Sequence, residues 1–137
     1  MIAAIARHVS FVAGFAGSLA SVIPGFLLWP RLAQSAFGAA FSRSYLLEIA
    51  AIGTVVAILF LVRAAVSRPA VWIACGLTAG FAGAAGTTIG MLYVPAAALF
   101  ALSGALGEVE PGRAPARHLL IAAGAALLQL GIMTLAS

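Results

Sequence analysis

Residues 69–107 read PAVWIACGLTAGFAGAAGTTIGMLYVPAAALFALSGALG and hold no charged side chain. As one helix they would reach roughly 58 Å at 1.5 Å per residue, nearly twice a hydrocarbon core of about 30 Å. The stretch therefore has to double back, and Gly86-Thr87-Thr88 is the natural place for the bend. The expected result is a tight, glycine-rich helical hairpin inside a membrane, its arms a third helix over about 70–86 and a fourth over about 88–106.

The rest of the chain fits that environment. Of 137 residues, 64% are hydrophobic and 7% charged, where soluble chains carry about 25% charged residues. The expected fold class is an all-α integral membrane protein, one polytopic domain spanning residues 1–137. Further helices are expected over about 9–30, 45–62 and 119–136, each uncharged or nearly so and long enough to cross a bilayer. Arg7 before the first apolar run imitates a secretory signal, but the run is longer than a signal's hydrophobic core. Residues 31–44, with Arg31 and Arg43 among Leu32, Phe37 and Phe41, suit either an interfacial helix or a plain loop. Pro24 should bend the first helix, and Pro95 should kink the fourth. Thr87 or Thr88 would cap the fourth helix, and Tyr93 would lie in an aromatic belt at the membrane surface.

The arginines select the topology. Short cytoplasmic connections carry the excess of positive residues. Five crossings from a cytoplasmic N-terminus leave Arg7, Arg63, Arg68, Arg113 and Arg117 inside and only Arg31 and Arg43 outside. Four crossings, the alternative, put three inside and four outside. The expectation is thus a multi-pass cell-membrane protein with its C-terminus outside, and the Ala, Gly and Arg bias points to a bacterial inner membrane. A re-entrant third or fourth segment is a further option.

Small residues at three- and four-residue spacing mark the faces on which helices approach closely. Gly14, Gly17, Ser18, Ser21 and Gly25 form one such face on the first helix, and Gly76, Gly80 and Gly83 one on the third. Packing within the chain's own bundle is favoured over a dedicated dimer face.

Catalytic and cofactor chemistry find little material. The chain has no Asp, Lys or Asn and one cysteine, Cys75, which excludes an internal disulfide and a paired-cysteine metal site. Glu108 and Glu110 fall in the polar run 107–118 and read as a solvated surface loop. His8 and His118 open the first and last helices, each beside an arginine; they offer ligands to a haem or a pigment, yet read more simply as interfacial anchors, so no cofactor and no metal is expected. The scattered arginines make no continuous surface for nucleic acid, and the glycine run lacks the lysine of a phosphate loop. Glu48 is the one acidic residue within an apolar segment. It is either a functional group of the membrane interior or, as expected, an interfacial glutamate that is hydrated or paired with Arg43 or Arg31. The expected role is non-enzymatic: an accessory or scaffold subunit in the lipid bilayer, packed against other membrane chains or copies of itself. The alternative is a small channel or transporter protomer with a polar path by Glu48, Thr87, Thr88 and Gln129 along the Gly76–Gly90 segment.

Overall fold

A computed structural model describes residues 2–33, 39–62, 67–85, 89–108 and 115–135. All regular structure among them is helical: α1 (Ile2–Ala33), α2 (Ala39–Leu61), α3 (Ser67–Ala84), a 3-10 turn (Gly90–Tyr93) leading into α4 (Val94–Gly107), and α5 (Pro115–Leu135). Four of the five helices contain stretches long and apolar enough to cross a membrane, over Ile2–Pro30, Ser44–Leu61, Gly90–Gly107 and Ala116–Leu135. The exception, α3, begins Ser-Arg-Pro, so its unbroken apolar part covers about 22 Å at 1.5 Å per residue.

The helices are longer at their ends than the apolar runs alone suggest. The first reaches back to Ile2 and on past Pro24 and Pro30, both inside it, and α2 starts at Ala39 instead of Tyr45. The fourth helix departs most from expectation. Pro95 does not kink its middle; it lies in the first turn of α4, where the missing N–H is one the helix would leave unbonded anyway. Neither the 3-10 turn, capped at Ile89, nor α4, capped at Tyr93, uses a side-chain cap. The bend at 86–88, with Thr87 and Thr88, lies outside the described residues.

The helices α1, α2, α3 and α4 form a ring of neighbours, α1 against α2 and α4, α3 against α2 and α4, while α5 lies outside it on α3. Directions alternate. At one end Ser10 meets Ser103, Phe60 lies against Gly14, and Trp72 lies against Gly104. At the other end Tyr45, Leu46, Ile49, Phe81 and Tyr93 form an apolar core, with Leu28 and Met133 packed on it. Tyr93 is therefore no belt residue: it is fully buried, its ring edge-on to Phe81 at 5.0 Å between centroids. A second core joins Val56, Val71, Ala74 and Phe100 midway.

Close approach of backbones holds the bundle together. A methyl group built on Gly76 would overlap the Ala122 carbonyl oxygen, and one on Gly80 would sit 2.7 Å from that of Ala126. Positions 76 and 80 thus match 122 and 126 in the same chain direction, so α3 and α5 run parallel. On α1, Gly14 faces Phe60 and Ser103, a Cβ built on Gly17 would lie 3.0 Å from the Phe100 ring, and one built on Gly25 would lie 3.7 Å from the Tyr93 hydroxyl. Ser18 and Ser21 are buried and donate to the carbonyls of Gly14 and Ser18 in their own helix, at 3.0 and 2.8 Å, which satisfies both hydroxyls without a partner from another helix. Gly83 departs from this seam: no atom lies within 4 Å of a Cβ built there. Two glycines outside any spacing pattern are as tight as those inside one. Gly53 abuts Ser21 and the Ser18 carbonyl, and Gly104 admits the Trp72 indole.

Candidate functional site

Polar side chains in a bundle this apolar are few; Ser18, Ser21 and Thr54 bond within their own helices, while others bond across helix boundaries. Ser10 and Ser103 clasp α1 to α4: each hydroxyl donates to the other's backbone carbonyl at 2.7 Å. Two further centres involve carboxylates, one at each end of the bundle.

At the end shared by Ser10 and Trp72, α4 stops at Gly107 and the N–H of Glu108 closes the last turn on the Ala105 carbonyl. That turn sends the Glu108 side chain back over the bundle instead of out to water. Its carboxylate accepts a 2.9 Å hydrogen bond from Trp72 Nε1 on α3 and lies 2.6 Å from Nδ1 of His118 on α5. The imidazole meets it off the line of an N–H hydrogen bond. Only 8% of the Glu108 side chain is exposed. The expected solvated loop glutamate is in fact the acceptor that ties α3, α4 and α5 together, while Glu110 lies outside the described residues. Reading along the chain missed it because its partners are 36 and 10 residues away and the local run is polar.

At the opposite end Gln129 of α5 is fully buried, held against α3 where its Cβ lies 3.0 Å from a Cβ built on Gly80. Its Nε2 donates to Glu48 Oε2 of α2 at 3.4 Å, and its Oε1 has no hydrogen-bond partner. Among the described residues the polar partner of Glu48 is this amide and not an arginine; the side chains of Arg31 and Arg43 lie outside them. One turn further out, a cavity of about 180 Å³ is lined by Tyr45, Leu46, Phe81, Ala84, Ala85, Ile89 and Met133. Tyr45 and Met133 are the residues of α2 and α5 that stand one turn from Glu48 and Gln129.

The two histidines do not converge. His8 is exposed and its Nδ1 contacts the Ala4 carbonyl of its own helix at 2.9 Å, whereas His118 faces Glu108. Glu48 and Gln129 meet directly, and Thr87 and Thr88 lie outside the described residues. Among the described residues, no three His, Cys, Asp or Glu side chains gather as a metal site would need. Cys75 is half-buried, with its thiol 3.6 Å from the Ala97 carbonyl. Comparison with protein-family models, with curated proteins and with solved structures finds no match to this chain.

Proposed function

We propose that this chain is a non-enzymatic accessory or scaffold subunit of a bacterial inner membrane, crossing it five times and binding another membrane chain or a second copy of itself through α5. The observation that carries this reading is the position of α5: of its described residues Gln129 alone is buried, and its outward Gly124 and Gly131 have no atom within 4 Å of a built Cβ. Glycines on an apolar outer face let another helix approach closely. The use of Ser10, Ser103, Trp72, Glu108 and Gln129 in contacts between helices suits a structural role. The short α3 packs against α2, α4 and α5, which suits a crossing shielded from lipid by protein. In mild detergent the protein is expected to purify as a defined homo-oligomer or with one stoichiometric partner, and Gly124→Leu with Gly131→Leu to release it. A monomer that conducts a solute in proteoliposomes, with the flux abolished by Glu48→Gln, rejects this role in favour of the channel or transporter reading, which the cavity beside Glu48 and Gln129 favours.

The threading has its own test. The arginine distribution puts the end with Trp72, Glu108 and His118 at the cytoplasm and the C-terminus outside. With Cys75 replaced by Ala, a cysteine introduced by Ser137→Cys is expected to react with an impermeant maleimide in intact cells. Reaction only after lysis reverses the orientation.

A further inference from the structure

We propose that the cavity between α2 and α5 is a lipid site, which holds a segment of phospholipid acyl chain against the end of α3. The proposal rests on reading α2 and α5 as membrane crossings. The cavity exists because α3 stops at Ala84, while α2 begins at Ala39 and α5 runs to Leu135 on either side of it. A gap is left where α3 ends. Its width is set by the protein itself: α5 rests on α3 and not on α2, and one turn deeper the Gln129 amide meets the Glu48 carboxylate end to end. The two outer walls are thus held a side chain's length apart.

The lining decides between water and hydrocarbon. Tyr45 brings the one polar side chain to it, and the buried atoms that lack a hydrogen-bond partner, on Thr78, Tyr93, His118 and Gln129, all belong to residues outside it. A resident water needs about two to four polar partners, whereas an apolar cavity of about 150 Å³ stays dry and takes a guest the size of benzene. At about 180 Å³ this cavity suits a few methylenes of a chain. Left empty, its walls would forfeit the dispersion contacts that a close-packed interior makes.

Depth selects the lipid chain. Tyr45 and Met133 lie no more than about 3 Å inside the ends of the apolar stretches Ser44–Leu61 and Ala116–Leu135, at 1.5 Å per residue, which is the level where acyl chains leave their headgroups. The competing occupant is a second copy or a partner chain. The face that α5 offers to such a chain carries Gly124 and Gly131, each two residues beyond Ala122 and Gln129, which meet α3, and so about half a turn round the helix. A helix seated on that face leaves the cavity vacant.

The test is photolabelling of the full-length protein in vesicles of phosphatidylethanolamine and phosphatidylglycerol, with adducts located by peptide mass spectrometry. The probe is a trace of phosphatidylcholine bearing a diazirine in the upper half of one acyl chain. Leu46 and Phe81 decide the outcome, because they line the cavity and, at 2% and 3% exposure, have next to no surface outside it. Both are expected to be labelled, alongside Leu47 and Leu128, which are 57% and 61% exposed. A probe with the diazirine on its headgroup should leave Leu46 and Phe81 unlabelled. Ala84→Phe and Ala85→Leu, two separate ways of filling the cavity, should each abolish the adducts at Leu46 and Phe81 while keeping those at Leu128. Labelling of Leu128 without Leu46 and Phe81 overturns the proposal, as do adducts at these two that come from the headgroup probe or survive both fillings. An acyl-chain probe that labels neither Leu47 nor Leu128 sinks instead the membrane reading beneath it.

Discussion

Gly76→Leu is expected to lift α5 off the bundle. The Gly76 backbone lies against the Ala122 carbonyl so closely that a Cβ alone overlaps it, and the next turn repeats the contact between Gly80 and Ala126. An isobutyl group has nowhere to go, because the obstacle is a backbone and not a side chain able to swing away. Overpacking a well-filled interface costs roughly 1–3 kcal/mol, and here the separation of α3 from α5 also exposes Gln129 and loosens its bond to Glu48. A loss of about 3 kcal/mol is expected in reversible denaturation in mixed micelles, together with faster tryptic cleavage at Arg113 and Arg117. Gly83→Leu places the same side chain where no atom lies within 4 Å, and should fall within about 0.5 kcal/mol of the parent. If Gly76→Leu is as mild as that, the parallel contact of α3 with α5 is not what holds the fifth helix.

Those glycines also show what composition and spacing are able to reveal. Membrane character and helical class follow from long uncharged runs, because a chain in lipid must bond its backbone internally. Gly76 and Gly80 stand out since a four-residue repeat puts both on one stripe. Gly83 continues the same stripe but has no neighbour: spacing defines a face, not the length over which a second helix follows it. Gly53 and Gly104 are the converse, isolated in sequence yet pressed against Ser21 and Trp72, since one crossing point needs only one small residue. Tyr93 looked interfacial because it falls near the start of the expected fourth helix, where an aromatic belt residue belongs. The chain instead enters α4 through a 3-10 turn that points the ring inward against Phe81. The pairing of Glu48 with Gln129 joins residues on two helices far apart in the chain, and no one-dimensional pattern announces it.

Glu108→Ala is expected to be the most damaging substitution in the connecting segments, where a surface reading predicts no effect. Removing the carboxylate leaves the Trp72 indole N–H without its acceptor, and the His118 ring without its close neighbour, in a place where water has little access. Hydrogen bonds to a charged group contribute about 1.5–3 kcal/mol, and a stranded buried donor costs about 1–3 kcal/mol. A loss of about 2–3 kcal/mol is therefore expected, against less than about 0.5 kcal/mol for Glu110→Ala if Glu110 is solvated. Trp72→Phe gives the second arm of the test: it keeps a ring against Gly104 but removes the indole donor. Combined in a double-mutant cycle, Glu108→Ala and Trp72→Phe should cost less together than the sum of their separate effects, by about 1–2 kcal/mol, because each already forfeits the same bond. Additivity within about 0.5 kcal/mol would mean that the indole and carboxylate do not interact in the folded protein. The tie among α3, α4 and α5 would then reduce to apolar contact.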